Sequence, residues 1–460
     1  MTGSARALAT AADPGAALRI AEEVVRLAER AGVTEAEALV VSGESALTRF
    51  ANSEVHQNVA SSEVSVSLRV AKGRRVAVSS SGRTDAEGLR ALVERAAAIA
   101  AYVEELEDWA GLPEPDGVPE AVEAAWSDAT AGATPELRAD GARAVIAAAE
   151  VQGVTAFGSF ATDAEAFAVA NSKGVRAAER RTTSQLLTVS MGPDHGTGYA
   201  EECSVDATAI DAAALGRESA QRARASANPV DIEPGDYPVV LDRYAVVDLL
   251  DMLGYLGFSA LAVAEDRSFF EAGKQVASPL VTITDDGRDP AGLPVGFDAE
   301  GVAKQRLALL DRGVCRDLAF DARTASRAGR HSTGHGLPAP NPYGPFPTNM
   351  AMAAGDATTE DLIGGLERGL LVTRFHYTNP VYPKRVVITG MTRDGTFLVE
   401  GGRIVGPVRN LRFTMSYLDA LAGVEAVSRD RRCLRGLLGG SVVPAVRLSS
   451  FSFTGATRAG

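Results

Sequence analysis

GMTRDGTFLVEGGRIVGPVRNLRFTMS, residues 390–416, decides how the second half of this chain folds. Branched and aromatic residues recur here in short runs, and Glu400-Gly401-Gly402 and Pro407 interrupt them, punctuation that strands need and helices reject. The pattern predicts a β-meander: Thr396 to Val399, a turn at the glycine pair, Arg403 to Val405, then Val408 to Thr414. Just upstream, LLVTRFHYTNP at 370–380 reads as a strand ending in His376, Tyr377 and Asn379. These polar groups either meet a ligand or partner or simply satisfy a strand end.

Working back from the meander, NPVDIEPGDYPVVLD at 228–242 carries three prolines and a glycine ahead of an apolar run, which marks a boundary. A C-terminal domain is expected over 234–460. Upstream, DWAGLPEPDGVPE at 108–120 breaks the pattern again and divides an α/β part at 1–110 from a central segment at 118–228. In the first part, Asp13-Pro14 opens an amphipathic helix that runs to Gly32. Strict alternation of Val64, Val66, Leu68 and Val70 with polar residues, then a turn at Lys72-Gly73, predicts antiparallel strands with one wet face. Thr84 and Glu87 read as a capping box for a helix ending near Val103. The central segment predicts a helix at 136–150, strands at 156–170 and 182–190, and a helix at 207–224. The fold class expected is α+β, with an N-terminal antiparallel sheet carrying helices and a β-rich C-terminal domain.

Bulk chemistry narrows the partners. A net charge of -13 and a pI near 5.1 give a long-range field of the wrong sign for nucleic acid or anionic lipid, leaving small molecules, peptides and proteins. Cys203, Cys315 and Cys433 lie far apart, so no disulfide framework or zinc knuckle is visible and a reducing cytoplasm is expected. No signal-peptide core and no membrane-length apolar stretch occurs, so neither export nor a membrane span is expected.

Familiar catalytic motifs are missing: no G-x-S-x-G elbow, no P-loop, and no histidine beside Cys315, which reads as a buried inert thiol. RHSTGHGLPAP at 330–340 holds His331 and His335 four positions apart, but its glycines and proline disfavour the helix that would stack the two rings for a metal. A loop lining a substrate groove is the better reading. YAVVDLLDMLGYLGFSALAVAED at 244–266 reads as one long apolar helix, with Asp251 and Tyr255 on a shared face.

Together with TRFANSEVHQN (48–58), NSKGV (171–175), AGRHSTGHG (328–336), GLLVTRFHYTNP (369–380) and VVPAVRLSSFSFTG (442–455), these segments resemble the TldD/PmbA family of zinc metallopeptidases along nearly the whole chain. In its catalytic branch the resemblance implies an HExxxH helix after a strand like YPVVL, with a cysteine ligand near the C-terminus. Here Asp251, Met252 and Leu256 stand where histidine, glutamate and histidine belong, beside Tyr255, and the flank of Cys433, SRDRRCLRG, does not reproduce the cysteine motif. Leucine and methionine supply neither a zinc ligand set nor a base.

The chain is therefore similar to the PmbA or TldE-like branch. That resemblance implies no cofactor in this chain, with zinc in a TldD-like partner, and a heterodimer enclosing a chamber for peptide cleavage. His331, His335, Asn349, Arg374, His376, Tyr377 and Asn379 become candidates for the channel or the interface. Two alternatives stay open. One is an autonomous metal-dependent peptidase or amidase drawing on Asp251, His331, His335, His376 or Cys433; the other is a homodimeric peptide-binding scaffold.

Overall fold

The computed structural model describes residues 12–456. Its N-terminal half is built on a six-stranded antiparallel sheet in the order β3-β2-β1-β4-β5-β6, made of β1 (Glu35–Ala51), β2 (Glu54–Lys72), β3 (Arg75–Ser81), β4 (Thr155–Asn171), β5 (Arg176–Met191) and β6 (Thr197–Ser204). Segments on either side of 108–120 share this sheet, because β1 pairs with both β2 and β4. The turn joining β1 to β2 is Asn52-Ser53, both with positive φ, the combination that matches the right-handed twist of paired strands.

Alternation then sorts the faces. Ala36, Ala38 and Val40 of β1, Val66, Leu68 and Val70 of β2, and Ala166, Ala168 and Ala170 of β4 point one way, under helices α1 (Pro14–Arg30) and α2 (Ala86–Ala100). Asp13 caps α1 as expected, its carboxylate accepting from Gly15 and Ala16. The cap of α2 is Asp85 rather than Thr84: its side chain accepts from the Gly88 amide, and Arg83 holds its carboxylate in place. Leu39, Phe167, Val169 and Ala177 face the other way and pack on Phe297 and Ala299 of the C-terminal half. Helices α3 (Pro135–Val151) and α4 (Ala212–Ala225) close the far end around Phe50, Phe160 and Leu186. The helix expected from 207 begins at Ala212, after a separate 3₁₀ turn capped by Asp206.

In the C-terminal half an eleven-stranded mixed sheet includes the short strands β8 (Ile283–Asp285), β9 (Leu307–Asp311), β10 (Val314–Cys315) and β11 (Met350–Met352). The strands expected in 390–416 are present as β13 (Val387–Glu400), β14 (Arg403–Val408) and β15 (Leu411–Ser416), but they form no meander: β14 and β15 both pair with β13, along its C-terminal and N-terminal stretches. Gly401 and Gly402, both at positive φ, form the expected turn. Strands β7 (Gly235–Leu241), β12 (Arg368–Tyr382), β13, β15 and β17 (Gly440–Ala456) form a closed circuit, because β17 pairs with β7 as well as β15. Phe375, Phe413, Phe451 and Tyr417 stack within it. Helix α5 (Arg243–Leu256) packs on β12 and β17. It stops at Gly257 instead of running to 266, and a separate short helix follows at Ala260–Ala264.

Candidate functional site

A cleft of about 260 Å³ opens between the two halves. The N-terminal sheet supplies Glu165 and Phe167 from β4 and Arg181, Thr182 and Thr183 from β5. Facing them are Leu293, Pro294, Val295, Phe297, Asp298 and Ala299, with Lys304, the loop from Gly334 to Pro338, Phe346, Thr348 and Asn349. The third side is the turn of a hairpin formed by β16 (Val424–Arg435) and β17, with Arg435, Leu438 and Gly439. Arg181 is held between the Phe167 and Phe297 rings, 4.2 and 5.9 Å from their centroids, and bonds Glu179. A cation between two aromatic faces is attracted by both ring quadrupoles.

Behind the cleft lies a buried ionic cluster centred on Asp285. Its Oδ1 accepts from Lys304 Nζ at 2.9 Å and lies 2.9 Å from His335 Nε2, while Oδ2 accepts from the Asn349 amide at 2.7 Å. The ammonium of Lys304 and the His335 ring hold the Asp285 carboxyl well below the usual carboxylate range, against the desolvation that opposes them. Burial and the same ammonium push His335 below its ordinary value, so the ring is neutral near pH 7 and donates from Nε2 to Asp285. On its other side the ring places Nδ1 2.9 Å from both the hydroxyl and the carbonyl of Thr333. Asn349 completes the support by donating Nδ2 to the Leu293 carbonyl at 2.7 Å.

A second cluster joins the halves. Arg69 on β2 bonds Glu37 on β1 at 2.8 Å and Glu300 at 3.1 Å, and Glu300 in turn accepts from the Ala322 amide. Asp298, wholly buried next to Glu300, is pushed up to about 8 by desolvation and by that like charge, although three backbone amides bond it.

Of the candidates read from the sequence, the cleft gathers His335 and Asn349. His331 is exposed and opens onto a different depression with Arg306 and Phe320. Arg374 is paired with Asp394 at 2.6 Å and lies over the Tyr199 ring. His376 is half-buried beside Arg374 and Arg393, which together with desolvation lower its pKa. Tyr377 is 76% exposed at positive φ, and Asn379 donates to its carbonyl. On α5, Asp251 accepts from the Leu437 amide at 3.1 Å, Met252 packs against the core, Leu256 is buried in it, and Tyr255 faces Tyr343 across 6.3 Å. Asp285, Lys304, Asp298, Glu300 and Arg69 were not singled out by sequence. They converge from positions up to 231 residues apart, a separation at which no local spacing pattern signals contact.

Residues 36–100 match the PmbA/TldA metallopeptidase domain 1, residues 125–227 the central domain, and residues 234–455 the C-terminal domain of the same family, three consecutive matches in order. The chain belongs to the PmbA/TldD metallopeptidase family.

Within that family the fold matches the crystal structure of TldE from Thermococcus kodakarensis, with a TM-score of 0.87 over 95% of this chain and 100% of that one, at 20% identity. Sequence likeness is more local. A metalloprotease TldD homolog from Haemophilus influenzae is 28% identical over 229 residues, 48% of this chain and 46% of the relative. Another from Buchnera aphidicola is 28% identical over 214 residues, 44% of this chain and 43% of the relative. The chain thus spans under half the length of these curated relatives.

A metallopeptidase family raises the question of a metal, and the residues present on α5 do not fit one. At 251, 252 and 256 they offer one carboxylate, a thioether packed on the core and a buried alkyl group. The Asp251 carboxyl is pushed up to about 7 by burial and is already engaged by Leu437. Among the described residues, no group of three or more histidine, cysteine, aspartate or glutamate side chains is placed to hold an ion.

Proposed function

We propose that this PmbA/TldD family member is a TldE-like subunit without a zinc site of its own, pairing in the cytoplasm with a zinc-bearing TldD-like chain and enclosing the chamber where that partner cleaves peptides. The observation that carries the reading is α5: the positions that would hold a metal and its base are Asp251, Met252 and Leu256, packed and hydrogen-bonded as ordinary structure. None of the five histidines in these 460 residues is followed by glutamate, which is consistent with it. A chain that keeps the fold while losing the metal can still supply one wall of a shared cavity. The cleft above Asp285, with its aromatic walls, its bonded His335 and Asn349, and the Arg435 cation at its rim, has the mixed apolar and polar lining that holds an extended peptide in place.

The test is to purify the chain alone and with a TldD-like family member, and to measure zinc, mass and peptide hydrolysis in each. The chain alone is expected to hold well under one zinc per protein and to cleave nothing. The pair should co-purify at equal stoichiometry and hydrolyse unfolded peptide until a chelator is added. About one zinc per chain in the isolated protein, with chelator-sensitive activity, would reverse the assignment.

A further inference from the structure

Cys203 and Cys433 had no evident relation in sequence, yet their Sγ atoms lie 3.0 Å apart, 230 residues distant along the chain. They belong to different halves of the molecule: Cys203 is on β6, the edge strand of the N-terminal sheet, and Cys433 is on β16 of the C-terminal sheet. A disulfide bond measures about 2.04 Å, so the two sulfurs need to close by roughly 1 Å. Both thiols are buried in one small apolar cluster with Leu293, Ala351 and Val442, and no other thiol is near, since Cys315 lies in a separate cluster. The strands carrying them are clamped together. The Arg435 amide donates to Glu201 Oε1 at 3.2 Å, two residues from each cysteine, and the Arg432 guanidinium donates to the Glu201 carbonyl at 3.5 Å. The sulfurs are thus held against each other by contacts that do not depend on them.

We infer that Cys203 and Cys433 form a reversible disulfide under oxidising conditions, a covalent staple between the two halves beside the interdomain cleft. Leu293, which packs on this thiol pair, also lines the cleft, and so do Arg435, Leu438 and Gly439 that follow Cys433 on the hairpin. Joining β6 to β16 therefore fixes the distance between two walls of the cleft. With a peroxide as oxidant the chemistry balances in two steps. Cys433, the less buried thiol, attacks the peroxide, becoming a sulfenic acid and releasing one water. The Cys203 sulfur then attacks the sulfenic sulfur, its proton leaving with the departing hydroxyl as a second water, so two thiols and one peroxide yield one disulfide and two waters. Loss of the staple follows from exchange with a dithiol reductant.

The experiment uses the full chain, reduced and desalted, then exposed to hydrogen peroxide, alkylated in denaturant and digested for peptide mass spectrometry. The expected result is loss of two of the three alkylatable thiols, recovery of the Cys203 and Cys433 peptides as one linked species lighter by two hydrogens, and an unmodified Cys315. The melting temperature should rise on oxidation and return with dithiothreitol. Cys315→Ser should leave the link intact, and Cys203→Ser should abolish it. Three alkylatable thiols after peroxide, or Cys203 and Cys433 oxidised separately without a linked peptide, would overturn the inference. The parent protein carries the decisive measurement, so a variant that fails to fold does not rescue it.

Discussion

Asp251 carries a carboxyl that burial pushes up to about 7, with the nearby Asp248 and Glu201 charges adding to the shift and the Leu437 amide resisting it. An acid whose pKa rises on folding holds its proton more tightly in the native state. Between the unfolded value of about 3.9 and about 7, stability therefore falls as pH rises. Asp251→Asn removes the charge and keeps an oxygen for the Leu437 amide. The variant is expected to be more stable than the parent by on the order of 2 kcal/mol at pH 8, with the gap closing toward pH 4. Urea unfolding at the two pH values measures it; a gap independent of pH would remove protonation as its cause. Asp285 has the opposite sign. Its pKa is depressed by Lys304 and His335, so its contribution is present above the unfolded value of about 3.9 and is lost as pH falls through the lower native value. Asp285→Asn leaves the Lys304 ammonium buried without its counter-charge, a loss of about 3–5 kcal/mol at pH 7 that should shrink below pH 4, read from the urea midpoint.

The end of α5 shows how an element departs from its sequence pattern. Apolar periodicity continues through 244–266, which is why one long helix is expected there, yet the Gly257 amide bonds the Leu253 carbonyl and the helix goes no further. The cause is tertiary: the Gly257 carbonyl accepts from the Ser268 hydroxyl at 2.7 Å in place of a further helical amide, and the Phe269 ring packs so close that a Cβ at 257 would lie 1.9 Å from it. Gly257→Ala must displace that ring or the helix end. It is expected to cost about 1–3 kcal/mol without changing the urea m-value, since one added methyl hardly alters the surface exposed on unfolding. An alanine variant as stable as the parent would show that Phe269 yields freely. The same contrast runs through the chain. The β13–β14 and β2–β3 hairpins were legible because glycine turns and period-two alternation are local signals, whereas the return of β15 onto β13 in place of a meander was not. The α2 cap was misplaced by one residue because Thr84 and Asp85 are both capping types, and Arg83 decides between them. His335 was legible as a loop residue and Asn349 entered only through the family resemblance, while Asp285, which both bond, was not visible, since a buried ion cluster is assembled by the fold and leaves no spacing in the chain.

At the scale of the molecule, the two halves meet through apolar contacts of Phe167 and Phe297 and through charges that were distributed along the chain. Arg323 grips Asp108 with two bonds of 2.8 and 2.9 Å, and Arg69 joins Glu37 to Glu300. Arg69 is the cation on which the second set depends. Burial already raises the pKa of Glu37, and Asp298 sits at about 8 with Glu300 beside it. Arg69→Met keeps much of the stem's packing and takes away the charge. The Glu37 carboxylate left behind then favours protonation in the folded state, so its pKa rises further and the stability lost on mutation grows as pH increases. The variant is expected to lose about 3–5 kcal/mol at pH 8 and distinctly less at pH 5. Because the lost contact spans the halves, calorimetry at pH 8 is expected to show one transition for the parent and two for the variant, with the N-terminal sheet melting first once its tie to Glu300 is gone. A single transition lowered equally at both pH values would mean that Arg69 acts through packing alone, and that the apolar contact of Phe167 with Phe297 couples the halves without it.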